Sequence, residues 1–440
     1  MYMQIRGFVV FALVGLGYIH TGELLAEEVS SRYSVDTSVA ADQELGMQVP
    51  LGFRATVFAD IAGYGRHITV RDDGVVYYAL TVRLGRGSNM GIVAMMDTDK
   101  DGVADVIERF ATDIPGTALQ FHDGHLYYGS KTEVYRFAFE GDEIVPSAVP
   151  SIVVGGFPEQ RLHEAKTFAI DDDHNIYVNV GAPSNACMEE FRTRGSPGQN
   201  PCPHSEVQAG VWRFDADEVD QRQGVHGSQF ASGIRNAMAI EWSAVHQRLY
   251  FLTHGRDALF ALYPEYFTVE ESAELPAEEM HILSENGNYG WPFTYYDHYQ
   301  NKRILAPEYG GDGTKGVESN LYEEPIASFP GHWAPNDMMF YTGEQFPARF
   351  RDGAFIVFHG SWNRAPLPQE GYKVVFVPFD GAVPGRDWEV FADGFKGADV
   401  LEAPGDAVHR PTGIAQGPDG ELYISSTVSG RVWRVEYTGN

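Results

Sequence analysis

From Leu51 to Tyr437 the chain alternates apolar and polar residues in short runs, each broken by Gly, Asp, Asn or Pro. A period of two puts successive side chains on opposite faces of a strand, and the breaking residues are those that turns require. Few stretches hold apolar residues at helical spacing, so strand is the predicted content. One phrase of this kind recurs six times: RHITVRDDGVVYYAL from Arg66, TALQFHDGHLYYG from Thr117, AKTFAIDDDHNIYVNVG from Ala165, RNAMAIEWSAVHQRLYFLTHG from Arg235, NDMMFYTGEQFPARFRDGAFIVFHG from Asn336 and PTGIAQGPDGELYISST from Pro411. Each predicts strand, tight turn, strand. A lone hairpin cannot bury both faces, so the copies must pack on one another. Radial packing of such sheets is a β-propeller. The predicted fold is all-β, a six-bladed β-propeller over residues 51–440 in a single domain. The run RVWRVEY near the C terminus is expected to pair with FRATVFAD, because a propeller must join its ends. Two long excursions, Ala182–Gln208 and Tyr263–Gly331, interrupt the repeats, and ordered loops of that length are usually functional or capping. Residues just before each hairpin become comparable positions around one channel mouth.

The first residues add a compartment. MYMQIRGFVVFALVGLGYIHTGELLA carries Arg6 and then an apolar run, Gly7 to Ile19, of signal-peptide length and too short for a membrane span. This predicts a signal peptide over residues 1–26 cleaved near Ala26, a polar lead-in over 27–50, and a periplasmic or secreted protein without stable membrane insertion; an uncleaved N-terminal anchor is the other reading. In an exported chain the two cysteines, Cys187 and Cys202, read as a disulfide across a Gly/Pro-rich insertion. Two thiols without clustered histidines make only half a metal site. The 440 residues are 43% hydrophobic, with 48 glycines and 24 prolines, a globular and turn-rich composition. A formal net charge of -29 argues against nucleic acid and anionic membrane as partners.

Several clusters could carry chemistry. In DTDKDGVADVIE, residues Asp97, Asp99, Asp101, Asp105 and Glu108 with Gly102 match the spacing of a calcium loop, in which alternating oxygens wrap a hard cation. The flanks GIVAMM and VIERFATDI read as strands, so this is no EF-hand, and a solvated acidic turn is the alternative. His163 lies two residues before the third repeat, where a neutral imidazole would face the channel as a proton acceptor; a structural histidine is the plainer reading. Arg235 and Asn236 open the fourth repeat, and Arg410 precedes the sixth. Arg364 lies in HGSWNRAPLPQEGY, on a loop between strands. Cations gathered at one mouth of so acidic a chain imply an anionic ligand there. Trp291 and Pro292, in NYGWP, read as a packed corner.

Taken together, GAPSNACMEE, NPCPHSEVQAGVWRF, GIRNAMAI, HGRDAL, NYGWPFTYYD, FYTGEQFP, HGSWNRAPLPQEGYKVVFVPF and HRPTGIA resemble the soluble quinoprotein glucose/sorbosone dehydrogenase family, with the L-sorbosone dehydrogenase branch the nearer likeness. The resemblance runs from about Leu51 to Tyr437 with the motifs in order. It implies a six-bladed propeller that binds pyrroloquinoline quinone (PQQ), a tricarboxylate, with calcium over the central channel. Carried over by motif, His163 matches the general base, and Arg235 and Asn236 match the pair contacting the quinone. Arg364 and Arg410 match cationic contacts to the cofactor, and the backbone carbonyls of Gly255 and Arg256 match the calcium ligands. Glu278 and Glu279 match an acidic pair with no firm role.

The family pattern is not kept everywhere. Leu162 stands where soluble glucose dehydrogenases have an acidic residue before the base, Met238 stands in place of a Gln, and no Gln of the glucose-binding loop precedes Thr117. The cofactor side therefore matches better than the sugar side. The expected activity is a PQQ-dependent oxidation of a sugar, sugar aldehyde or related alcohol, with reoxidation by an external acceptor such as a quinone or cytochrome. A non-catalytic binding propeller and a calcium-dependent lactonase are the alternatives.

Overall fold

The computed structural model describes residues 45–82, 89–318 and 320–439. The signal peptide and most of the lead-in expected from the sequence fall outside these residues. Six antiparallel sheets of four main strands each surround an axis. Blade 1 comprises Tyr64–Val70, Val76–Thr81, Gly91–Met96 and Val106–Phe110, and blade 2 Gly116–His122, His125–Ser130, Val134–Ala138 and Ser151–Gly155. Blade 3 comprises Phe168–Ile170, Asn175–Val180, Gly210–Asp215 and Ser228–Ser232, and blade 4 Ala239–Ser243, Arg248–Thr253, Glu278–Leu283 and Ala327–Phe329. Blade 5 comprises Pro335–Phe340, Gly353–Phe358, Lys373–Asp380 and Glu389–Ala392. Blade 6 takes Pro411–Gln416, Leu422–Ser426 and Arg431–Tyr437 from the C-terminal end and Phe53–Asp60 from the start. Among the described residues no helix is long and apolar enough to cross a membrane.

The closing strand pairs as the sequence predicts, from Phe53↔Tyr437 to Asp60↔Arg431. Arg431 adds a two-pronged bond to Asp60, 2.7 Å from Nε to Oδ1 and 2.9 Å from Nη2 to Oδ2. The second excursion is not wholly a loop. It contains two strands of blade 4, Glu278–Leu283 and Ala327–Phe329, and between them the hairpin Thr294–Asp297/Lys302–Leu305. The first of them lacks visible alternation because Glu278 and Glu279 are both buried, Glu279 accepting from Arg303 at 2.7 Å, and the second is only three residues long.

Burial follows the blade interfaces. One apolar cluster fills each gap between neighbours: Phe355, Phe376, Phe391 and Trp433 between blades 5 and 6, and Trp212, Phe157 and Tyr127 between blades 2 and 3. A large aromatic lost from such a gap costs about 3–5 kcal/mol. The insertion carrying Cys187 and Cys202 is held by their disulfide, which packs with Trp291.

The inner strands share a device at the end where they begin. In blades 1, 2, 5 and 6 the register of the first hairpin shifts at this height, between Gly65 and Ile68, Gly116 and Ala118, Pro335 and Asp337, and Pro411 and Gly413. A β-bulge re-aims the side chains at its site. Here bulges bring polar residues together across the channel: His67 Nε2 donates to Asn336 O at 2.6 Å, and Asn336 Nδ2 donates to Thr412 Oγ1 at 3.2 Å. Burial, with Arg66 beside it, pushes the His67 imidazole down to about 3, so it is neutral.

From this polar floor the channel continues as an open cavity of about 320 Å³, whose lining includes His67, Glu241 and Asp337. Burial pushes Asp337 up to about 8, against bonds from Ile414 N and Met338 N, and burial together with Asp337 raises Glu241 well above the carboxylate range. Both groups keep their protons in the fold at pH values where the unfolded chain releases them. Their burial therefore destabilises the protein progressively as pH rises from the ordinary carboxylate range toward 8, by at most ~1.4 kcal/mol per pH unit for each group. Glu241→Gln removes one such group. Its melting temperature should match the natural protein at pH 5 and exceed it at pH 8; thermal melts across that range giving a constant difference would contradict the assignment.

Candidate active site

The loops that feed the inner strands of blades 3, 4 and 6 form the mouth of the channel, joined by the loops that leave the second strands. His163 sits in the loop before blade 3 with φ 53°, a left-handed conformation uncommon for a non-glycine residue. Gln160 holds this loop, its Nε2 donating to Leu162 O, His163 O and Gly181 O at 2.7, 2.9 and 3.0 Å. His163 Nδ1 lies 2.6 Å from Ala182 O. A carbonyl can only accept, so Nδ1 carries the hydrogen and Nε2 the lone pair. Gly181 is required by this packing, because a Cβ there would stand 2.6 Å from His163 Cβ and 3.1 Å from Asn236 Oδ1.

Arg235 and Asn236 come from the loop before blade 4 and are both buried. Arg235 Nη2 donates to Asn185 Oδ1 at 3.1 Å and to Asp257 Oδ2 at 3.0 Å. Asn236 Nδ2 faces His254 Nδ1 at 3.4 Å, and His254 Nε2 donates to Pro335 O at 2.8 Å. Asn236 Oδ1 is a buried acceptor without a donor. Asp257 also accepts from Arg192 at 2.7 Å and from Asn363 Nδ2 at 2.8 Å. One carboxylate thus ties the cysteine-bearing insertion, the loop of blade 4 and the loop of blade 5.

The electrostatics follow from burial and from the charge of Arg235. Burial first, and Arg235 second, push His163 down to about 3, while burial pushes His254 down to about 4. Both imidazoles are neutral at pH 7. Burial works to raise the Asp257 carboxyl, but Arg235, His332 and Arg192 outweigh it and hold it well below the usual range. Glu278 accepts from Gly255 N at 3.0 Å and from Ala334 N at 3.2 Å, yet burial lifts it to about 8. Among the described residues no backbone donor is bonded to the carbonyl oxygen of Gly255 or Arg256.

The other expected residues divide. Arg410 is buried in the wall of blade 6, its guanidinium 4.0 Å from the Trp362 ring and 5.2 Å from the Tyr372 ring, with Nε donating to His359 O at 3.2 Å. Arg364 binds Glu274 through Nη2, Ala273 O through Nη1 at 3.2 Å and Pro368 O through Nε at 3.1 Å. It therefore clasps the short helix Val269–Glu274. The Asp97 loop is the turn between the outer strands Gly91–Met96 and Val106–Phe110 of blade 1. It gathers Asp97, Asp99 and Asp105, with ligand atoms within 4.8 Å of one another. Asp101 instead caps Val103 N at 2.8 Å, and Glu108 sits in the strand opposite Ala94.

Sequence reasoning missed Asp257, His254 and Asn185. Asp257 and His254 lie in and around HGRDAL, and Asn185 in GAPSNACMEE, but none precedes a repeat hairpin. They enter from the loops after second strands, which the repeat did not align.

The arrangement is that of a propeller with a neutral histidine, a buried arginine and the unpartnered oxygen of Asn236 on neighbouring loops of one channel mouth. The TrAA12-like family matches residues 47–438, and the chain belongs to that family. A PQQ-dependent pyranose dehydrogenase of Coprinopsis cinerea is 30% identical over 189 residues, 37% of this chain and 25% of that protein. The holo form of its PQQ domain superposes with a TM-score of 0.70 at 19% identity, covering 89% of this chain and 97% of the domain. The calcium structure of a Trichoderma reesei protein of the carbohydrate-active enzyme family AA12 gives 0.69 at 16% identity, covering 92% and 98%. An uncharacterized protein of Borreliella burgdorferi is 21% identical over 405 residues, 89% of this chain and 91% of its own length. The likeness read from the motifs holds at the level of quinoprotein sugar dehydrogenase propellers; the sorbosone branch is not singled out.

Asp257→Ala would leave Arg235 buried without its carboxylate and release Arg192 and Asn363. Loss of one partner of a buried pair costs about 3–5 kcal/mol. Denaturant unfolding should register a loss of about 3 kcal/mol; a change under 1 kcal/mol would show that the clasp is not a structural tie.

Proposed function

We propose that the protein is a PQQ-dependent oxidoreductase that oxidises a sugar, sugar aldehyde or related alcohol, with His163 as general base. The observation that carries this reading is the neutral His163 imidazole, held through Nδ1 with its Nε2 lone pair available, beside Arg235 and Asn236. The donor set suits the cofactor. Asn236 Oδ1 is an orphaned buried acceptor, Arg235 and Arg410 supply positive charge for a carboxylated ligand, and the Gly255 and Arg256 carbonyls are hard oxygens fit for calcium. Arg364 is the more distant cationic contact in this reading.

When bound, the quinone supplies a two-electron acceptor and calcium a Lewis acid beside it. The chain's own residues do the rest. His163 Nε2 takes the proton of the substrate hydroxyl, and the Ala182 carbonyl fixes the ring for that transfer. Arg235, braced by Asp257 and Asn185, is held as a donor that needs no reorganisation during the reaction. Its charge also keeps the imidazole unprotonated. The polar floor of His67, Asn336 and Thr412 closes the channel below the site. An exported enzyme of this kind needs an external electron acceptor, a quinone or a cytochrome.

Reconstitution with PQQ and calcium should produce the bound-quinone spectrum and dye reduction with sugars. His163→Ala should keep the spectrum and lose ~10²–10⁴-fold in kcat, the usual worth of a general base. Full turnover in that variant would remove His163 from the mechanism, and ester hydrolysis without quinone would favour a hydrolase. Because the base is protonated only toward pH 3, kcat/KM of the reconstituted enzyme should stay level from pH 7 down to about 5. A fall centred near pH 6.5 would instead mark an ordinary imidazole.

The reading includes a second, structural calcium at Asp97, Asp99 and Asp105, with Asp101 and Glu108 as the outer members of the loop. Calcium should raise the melting temperature, and Asp99→Asn should reduce that rise; an equal rise in both proteins would place the stabilising ion elsewhere.

A further inference from the structure

Across the mouth from Arg235, on blade 1, lies an arginine that the cofactor reading does not use. Arg66 and His67 form the bulge of the first inner strand, where pairing passes from Gly65↔Leu80 to Ile68↔Tyr78. His67 reaches across the channel to Asn336, so the bulge lies at the floor of the mouth. The backbone is pinned there. Arg66 O accepts from Ser425 Oγ at 2.8 Å, and a Cβ on Gly413 would come within 2.9 Å of His67 Cα and 3.0 Å of Arg66 O. Glycine at position 413 is what lets blade 6 press so closely on this turn.

The Arg66 side chain is half-buried, and its Nε is buried without a hydrogen bond. Three other arginines have carboxylates, Arg235 with Asp257, Arg256 with Glu308 and Arg364 with Glu274, and Arg410 is held by the His359 carbonyl and the Trp362 and Tyr372 rings. Among the described residues no carboxylate lies within ion-pair distance of Arg66; Glu164, the acidic group that faces it at longer range, is bridged to Lys131 at 2.9 Å. The positive charge of Arg66 reaches His254, which itself stands beside Asn236. A guanidinium partly withdrawn from water, without an anion, over a site built for a carboxylated ligand is a half-made ion pair.

We propose that Arg66 is a further anion-binding residue of this site, taking a carboxylate from either the quinone cofactor or an acidic sugar such as a uronate. The inference rests on the quinone-dependent reading for its first source and not for its second. Its test is titration of the full-length protein with PQQ plus calcium, and of both apo and quinone-loaded protein with D-glucuronate and D-glucose, followed by tryptophan fluorescence and calorimetry. Removing one charge-assisted bond should weaken a ligand ~10–100-fold. If the carboxylate is the cofactor's, Arg66→Gln weakens PQQ by that factor. If it is the substrate's, PQQ binding is unchanged and glucuronate weakens while glucose does not. Arg66→Lys, which keeps the charge and loses the fork, should lie between, and it decides the matter if the Gln variant fails to fold. A folded Arg66→Gln protein with PQQ and glucuronate affinities within twofold of the natural protein would overturn the proposal, as would equal losses for glucose and glucuronate. Natural protein that takes up no quinone defeats the functional reading instead, and glucuronate binding to the apo protein then decides Arg66 by itself.

Discussion

Everything in this molecule depends on the joining of its two ends. Blade 6 borrows Phe53–Asp60 and lays it beside Arg431–Tyr437, and the two-pronged bond of Arg431 to Asp60 fixes the register. Without that pairing two sheet edges would be exposed and the ring would have no fixed circumference. The consequence reaches the centre. Blades 5, 6 and 1 touch at the axis through His67, Asn336 and Thr412, contacts that demand matching heights of inner strands far apart in sequence. An open ring could not hold those heights. The floor of the site, and the placement of the loops above it, are therefore products of ring closure.

On that frame the site is organised by one strong carboxylate. Asp257 faces Arg235, Arg192, Asn363 and, at 3.8 Å, His332. Arg235 is buried with Asp257 as its counter-charge, which offsets part of the cost of taking it out of water. Burial keeps the imidazole of His163 neutral, and placing that counter-charge behind Arg235 leaves the arginine's charge to push it the same way. A carboxylate on the His163 side would instead have raised the imidazole and blocked its lone pair over part of the physiological range. The residue before His163 is Leu162, in keeping with this polarity.

Much of this could be read from the sequence, and the limit has a physical cause. The hairpin phrase counted the blades because each must bury two faces in the same way, and it aligned His163, Arg235 and Arg410 because those residues lie in the segments that lead into inner strands. The disulfide of Cys187 and Cys202 and the closing strand were legible for similar reasons, one from an even cysteine count and one from the need to remove an edge. Asp257, Asn185 and His254 were not legible, since they arrive on loops after second strands whose lengths vary from blade to blade. The strands Glu278–Leu283 and Ala327–Phe329 were hidden inside an apparent loop: in the first, Glu279 paired with Arg303 and Glu278 bonded by backbone donors break the alternation that identifies a strand, and the second is only three residues long. The bulges left no trace, as a register shift is a property of pairing and not of composition.

The distribution of charge joins these levels. The chain is strongly acidic overall, yet Arg235, Arg256 and Arg364 around the channel mouth are buried, each with one carboxylate as a brace. An acidic exterior repels anions at long range, a repulsion that salt screens within about 10 Å. The mouth must therefore recognise its ligand by short-range, desolvated contacts and not by steering. This favours a ligand that brings several oxygen acceptors at fixed spacing, because each adds a bond without adding a long-range penalty. Burial holds the channel acids Glu241 and Asp337 in their protonated form, so they set no negative charge beneath the mouth.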